Sequence, residues 1–442
     1  MDGSTTTLPA QATTVPKSPA SSSTTNVATT RPAKAKQSEL DTKVTRAPYS
    51  WKQSSLDWIR HHPWWGRASN EKCEHDLLAY SLPFYPEPDA TRRASIIDTD
   101  IGDGNHIHEL FIENTETPTK DRPAPPVKDV VLIHGYAASL GLFLDNFDEL
   151  SSVPGIRIHA IDLLGFGFSS RPKFPSLPSD TPEEVNKVED WFIDALETWR
   201  QRRGLERFTL VGHSFGGYLS SCYALKYNKP QESSGESLLN KLVLISPVGV
   251  ERSEASMIPK DEEDTDINGT FAEDWSKLNT RKVRMIKYMW GKNWSPFSVI
   301  RNGSVASSRL VSGWTSWRFA HYYRDDPKKF NLMHNYIYRV FTAPGSGEYG
   351  LTRALAFGAL AKLPLIDRMP RAFVKQNLPT MWLYGDRDWM NEKAGEAAVK
   401  RINQLAGKSN MAEYVLVPSA GHHVYLDNPK AFDSKVLDFI ME

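Results

Sequence analysis

A chain of 442 residues with 40% hydrophobic content can bury one large core and still have material left over, because single cores stop growing near about 250 to 300 residues. Its 53 basic and 53 acidic side chains cancel to a formal charge of zero, so the chain as a whole offers no electrostatic case for nucleic acid as a partner. Two cysteines, Cys73 and Cys222, are too few and too far apart for a disulfide framework or a zinc site, and neither a metal nor a cofactor is expected.

Residues 1–46 are mostly Ser, Thr, Pro and Ala, with too little apolar surface to offset the entropy of ordering a backbone, and are expected to be disordered. Lys17, Arg31, Lys34 and Lys36 face a single acid, Asp2, the charge pattern of a mitochondrial presequence and equally of a merely flexible tail. No secretory signal core is present, nor a run of about 18 apolar residues that would span a bilayer. Residues 47–93 are aromatic. Indole rings favour the bilayer interface, so Trp51, Trp58, Trp64 and Trp65 are expected to touch a membrane surface. The alternative is a strap of tryptophans packed on the body of the protein. His61, His62, Cys73 and His75 read as surface or interfacial residues.

Residues 94–250 alternate strand and helix patterns and form the first part of a catalytic core. Ser95–Thr99 and Ile107–Glu113 flank Gly102-Asp103-Gly104-Asn105 as a hairpin. Asp129–Ile133 is a β-branched strand ending in His134-Gly135-Tyr136-Ala137-Ala138, a loop of small residues whose backbone can approach a ligand. Ile156–Ile161 is the next strand, followed by the glycine-rich stretch Asp162–Pro172. Thr181-Pro182-Glu183-Glu184 carries a threonine cap, a first-turn proline and a glutamate three residues on, the start signal of a helix whose apolar face is Val185, Val188, Phe192, Leu196 and Trp199. Phe208–Val211 then runs into Gly212-His213-Ser214-Phe215-Gly216, where the glycines remove side chains between strand and helix and leave Ser214 at the apex. Leu242–Ile245 is another buried strand.

Between 251 and 365 the alternation stops, and the chain becomes aromatic and helical in period. Trp290, Trp294, Phe297, Trp314, Trp317, Phe319, Tyr322 and Tyr323 suggest an apolar passage, with ordinary packing expected to absorb most of them. Arg281, Lys282, Arg284, Lys287, Lys292, Arg301, Arg309 and Arg318 are candidates to meet phosphate. Residues 366–442 return to the alternating pattern as a second part of the core. Met381–Leu383 leads to Gly385-Asp386-Arg387-Asp388, and Tyr414–Val417 to Gly421-His422-His423.

A serine hydroxyl becomes a nucleophile when a base takes its proton, and the base needs a carboxylate to fix its tautomer. Ser214, Asp388 and His422 each follow a strand, where ligands gather in open α/β sheets, and are the expected catalytic set. Asp388 is favoured over Asp386 because it stands further past the turn glycine, and His422 over His423 because it directly follows Gly421. Backbone amides of Tyr136 and Phe215 are expected to hold the oxyanion.

These segments, His134-Gly135, Asp162–Pro172, Gly212–Gly217, Gly385–Asp388 and Gly421-His422, resemble the α/β-hydrolase superfamily from about residue 125 to the C-terminus. The resemblance implies an α/β fold with a mostly parallel central sheet, helices on both faces and a helical lid insert over residues 251–365. More narrowly, His422-His423-Val424-Tyr425-Leu426-Asp427, Trp294–Ser298, Val311–Trp314 and Gly345–Glu348 resemble the lipid-acting branch that holds cardiolipin-specific deacylases, N-acylphosphatidylethanolamine lipases and the lipid-droplet lipase co-activator. That resemblance implies a phospholipid substrate, with cardiolipin foremost, and removal of an acyl chain at a mitochondrial membrane, a lipid droplet or in the cytoplasm. The H-x4-D string ending at Asp427 is linked in this branch to acyl transfer onto lysophospholipids. Its plainer reading is a helix cap, because Asn428-Pro429 follows. A non-catalytic lipid-binding regulator is the alternative from another class, which Ser214 disfavours.

Overall fold

The chain is built on an eight-stranded, mostly parallel sheet, seen in a computed structural model that describes residues 48–62, 68–116, 126–230, 235–259, 280–295 and 297–442. Residues 1–46, Trp64 and Trp65 lie outside the described residues. The strands in chain order are β1 (Arg92–Gly102), β2 (Asn105–Asn114), β3 (Lys128–Ile133), β4 (Ile156–Ile161), β5 (Phe208–His213) and β6 (Leu239–Ile245), then the small antiparallel pair β7 (Leu355–Ala356) and β8 (Leu360–Ala361), then β9 (Thr380–Gly385) and β10 (Ala412–Val417). The large sheet runs β1-β2-β4-β3-β5-β6-β9-β10. Only β1 with β2 and β2 with β4 pair antiparallel, so the hairpin expected around Gly102–Asn105 caps one edge.

Period-two alternation divides the core between the two faces. Val131 and Ile133 of β3 join one apolar cluster, while Val130 and Leu132 join the other. Burying each such side chain stabilises the fold by about 1.5–3 kcal/mol, which fixes the register and hence the level at which the strand ends line up. The helix Pro182–Arg203 packs in the first cluster through Val188, Phe192, Leu196 and Trp199. Its start is a capping box: Thr181 Oγ1 accepts from the Glu184 amide at 3.3 Å, and Glu184 Oε2 accepts from the Thr181 amide at 3.2 Å. Among the described residues no helix is long and apolar enough to cross a membrane.

The helices Arg281–Gly291, Phe297–Asn302, Val305–Arg318, Ala320–Asp325, Pro327–Thr342 and Glu348–Ala354 all fall between β6 and β7. The N-terminal helices pack on this insert, Trp51–His61 against Val305–Arg318 and Asn70–Ser81 against Pro327–Thr342. Their polar groups are spent there: Asp57 Oδ2 accepts from Ser308 Oγ at 2.5 Å and lies 3.3 Å from His334 Nε2. Consequently His61 and Cys73, expected as surface or interfacial residues, are buried, because the faces that carry them meet the insert. Trp58 is half-buried, whereas Trp51 stays 60% exposed with the Arg309 guanidinium over its ring.

Candidate active site

The end of β5 turns into the helix Phe215–Tyr227 at Ser214, whose φ of 53° and ψ of −116° would strain any residue with a side chain. Backbone bonds on both sides hold it there: the Ser214 amide donates to Ile245 O at 2.8 Å, and Ser214 O accepts from Tyr218 at 3.0 Å. The glycines of the turn are required by contact. A Cβ on Gly212 would lie 2.4 Å from Ser220 Oγ, and one on Gly216 would lie 2.3 Å from His134 O. Gly135 is also closely pressed, since its Cβ would stand 2.8 Å from His213 Nδ1 and 3.0 Å from Ser214 Cβ. The loop that begins with His134 therefore lies directly against the serine.

The three residues expected to act together are together. His422 Nε2 is 3.0 Å from Ser214 Oγ, and His422 Nδ1 is 3.1 Å from Asp388 Oδ1. The carboxylate acceptor fixes the proton on Nδ1 and leaves Nε2 free to accept. Burial works to raise the Asp388 carboxyl, but the hydrogen bond and charge of His422 and the Met390 amide prevail and hold it below the usual carboxylate value. Asp386, the other acid of the pair, instead accepts from the Ala420 amide at 3.1 Å and pins the loop that carries His422.

The neighbouring imidazoles have other tasks. His213 donates Nε2–H to His422 O at 3.0 Å, and burial followed by the proximity of His422 pushes it well below the usual histidine value. His423 is likewise lowered, first by burial and then by His213. His134 donates from Nδ1 to Gly135 O at 2.7 Å and accepts the Leu163 amide on Nε2 at 3.1 Å, so it ties the loop of Gly135 and Tyr136 to the Asp162–Pro172 stretch. Phe215 opens its helix, where the first N–H groups have no intrahelical acceptor. Together with the Tyr136 loop lying against Ser214, that gives the two expected oxyanion amides a common neighbourhood.

Asp427 is not a helix cap. Asn428 caps Pro429–Met441 by accepting from the Ala431 amide, which leaves Asp427 to point inward. Asp427 Oδ2 accepts from the Gly421 amide at 2.8 Å, and Oδ1 accepts from Arg318 Nη1 of the insert at 2.9 Å. The insert's cations are thus partly committed: Arg318 to Asp427, Arg301 to Glu348 and Arg309 to the Tyr49 carbonyl.

Near the site stand Phe297, one of the aromatics expected to form an apolar passage, and three side chains to which the sequence assigned no role, Trp389, Phe166 and Arg171. Trp389, 55% exposed, places its ring 5.0 Å from that of His422. Phe297 and Phe166 approach the Tyr136 ring at 6.0 and 6.1 Å, making an aromatic wall between insert and core. Arg171 reaches the Gly167 and Pro344 carbonyls at 2.9 Å each, joining loop to insert. Position directly after Asp388 was a signal for Trp389, and Phe166 and Arg171 lie in the Asp162–Pro172 stretch, though nothing local marked their side chains. Among the described residues no group of three or more His, Cys, Asp or Glu is arranged to hold a metal.

A strained serine at a strand-to-helix turn, with its acid and base supplied from the ends of β9 and β10 in that chain order, defines a hydrolase of the α/β type. The chain belongs to the α/β-hydrolase family, whose model, described as alpha/beta hydrolase fold, matches residues 129–429. It is 33% identical to the 1-acylglycerol-3-phosphate O-acyltransferase of Arabidopsis thaliana over 327 residues, covering 73% of this chain and 68% of that protein. It is 31% identical to the 1-acylglycerol-3-phosphate O-acyltransferase ICT1 of Saccharomyces cerevisiae, covering 76% and 84% of the two chains. With the (Lyso)-N-acylphosphatidylethanolamine lipase of Mus musculus the identity is 28%, over 71% of this chain and 80% of that one.

Proposed function

We propose that the protein is a serine hydrolase of acyl glycerophospholipids that works through an acyl-Ser214 intermediate. The observation that carries this reading is the unbroken line Ser214 Oγ, His422, Asp388, with heavy-atom separations of 3.0 and 3.1 Å. His422 Nε2 takes the hydroxyl proton as Ser214 Oγ attacks the ester carbonyl carbon. The charge that develops on the carbonyl oxygen is held by the amides of Tyr136 and Phe215. Collapse breaks the ester C–O bond, His422 returns its proton to the departing lipid oxygen, and the acyl group remains on Ser214. Water, deprotonated by His422, then releases the fatty acid.

The lipid class draws support from the names of the relatives, all of which concern phosphate-bearing acyl lipids. Cardiolipin falls within that class as a phosphate diester of glycerol. Those names also favour a second reading, in which a lysophospholipid hydroxyl replaces water in the second half-reaction. The same acyl-enzyme serves both. Peripheral attachment to a membrane, in mitochondria, is part of the proposal; the exposed Trp51, Leu56 and Ile59 on one N-terminal helix are the apolar surface that favours it.

The test is purified wild-type and Ser214→Ala protein on phospholipid vesicles that include cardiolipin, with fatty acid release and acyl transfer to lysophosphatidate quantified in one reaction. The substitution is expected to remove both products by at least about 10³-fold. Retention of either product by Ser214→Ala rejects the acyl-serine route for it.

A further inference from the structure

Beside the loop of Tyr136 lies a narrow cleft whose charges the acyl-serine chemistry does not use. It is bounded by Ala137, Phe166 and Phe341, with Arg171, Arg301 and Glu348 as its ionic members. Arg171 directs Nε and Nη2 to the Gly167 carbonyl, Nη2 also to that of Val340, and Nη1 to that of Pro344; among the described residues it has no carboxylate partner within ion-pair distance. Burial draws it down to about 10, against the opposing pull of Glu348 and Asp162. Arg301 Nη2 sits 2.6 Å from Glu348 Oε1, and Glu348 is only 3% exposed. Asp162 is also near, but its two oxygens accept the amides of Leu140 and Phe168, at 2.7 Å each. Two guanidinium groups therefore share one available carboxylate in an apolar enclosure.

We propose that this cleft is the site for the phosphate of the lipid substrate, with Arg301 and Arg171 as its cations and Glu348 as an internal anion that the phosphate displaces. This rests on the acyl-lipid reading above. On a glycerol backbone the phosphate lies only a few bonds from the scissile ester, and Ala137 and Ala138 of the cleft directly follow the proposed oxyanion donor Tyr136. The Arg301 guanidinium, once off Glu348, offers a fork that matches the paired oxygens of a phosphate, while Arg171, its fork held by main-chain carbonyls, adds its charge; in a water-poor setting such charge-assisted bonds are strong. The free volume is about 10 Å³, room for roughly one water and too little for a phosphate, so binding requires the Glu348 side chain to leave Arg301 and vacate the space it fills.

The measurement is kcat/KM on two lipids with the same acyl chain, 1-oleoyl lysophosphatidate and 1-oleoylglycerol, in mixed micelles. Arg301→Gln is expected to lower the phosphate-to-neutral ratio about tenfold, and Glu348→Gln to raise it. A variant that is merely less stable lowers both rates together, and an unchanged ratio in both variants overturns the site. If neither lipid shows Ser214-dependent turnover, the hydrolase reading fails instead, and the cleft is judged by thermal protection. Lysophosphatidate or inorganic phosphate is then expected to raise the melting temperature of the wild type and not of Arg301→Gln; no protection by either overturns it. Protection by inorganic phosphate identifies the free ion as sufficient, whereas protection by the lipid alone assigns the cleft to a head group.

Discussion

The serine turn and the helical insert between β6 and β7 are held in place differently. At the turn, position is set by atoms that have no room to move: Gly212, Gly216 and Gly135 each stand where a single methyl would collide with a neighbour. The insert is seated by apolar packing, with Val311, Phe330, Met333, Tyr336 and Ile337 buried in the second core cluster, and is tied in addition by ionic and polar links between distant parts of the chain, such as Arg318 with Asp427 and Ser308 with Asp57. Steric constraint yields one geometry. The ionic links that tie the insert, unlike a steric fit, can be undone by a competing charge or a change of surroundings.

The sharpest contrast is inside the catalytic line. Asp388→Asn keeps the shape but offers His422 an ambiguous partner, and is expected to lower kcat about 10⁴-fold with the melting curve little changed. A loss of less than tenfold would mean that Asp388 is not the orienting acid. On the insert side, Asp427→Asn leaves the buried Arg318 without its counter-charge and is expected to cost roughly 3 kcal/mol of stability. Adding Arg318→Met should recover part of that cost, and a double variant no more stable than the single one breaks the ionic account. At the turn, Gly216→Ala forces a methyl against His134 O, and denaturant titration is expected to show about 1–3 kcal/mol lost together with weaker fluorophosphonate labelling of Ser214. Labelling at the wild-type rate would show that the seat yields. The smallest effect is expected from Thr181→Ala, which removes one half of the capping box for about 1 kcal/mol and leaves kcat unaltered.

The division between the two regions also explains what the sequence made legible. The strands that end at Ser214, Asp388 and His422 announce themselves through local apolar runs, and the turn glycines stand beside the residue they serve, so fold and site pattern are readable from neighbours in the chain. The capping box at Thr181 is equally local and has the expected geometry. Asp427 misled because its nearest neighbours, Asn428 and Pro429, do form a helix start; the partner that claims its side chain, Arg318, is 109 residues away. His61 and Cys73 misled for a similar reason, since only the packing of their helices on the insert buries them. Arg171 carries no local signal, because its partners are main-chain carbonyls.

The two-sided grip of Asp427 gives the molecule an interlock. One oxygen steadies the loop on which the general base rides, and the other fastens the end of the insert helix Val305–Arg318. A change at Arg318 is therefore felt at the Gly421–His422 loop through a single carboxylate, which makes the setting of the base dependent on a residue 109 positions from that carboxylate in the chain.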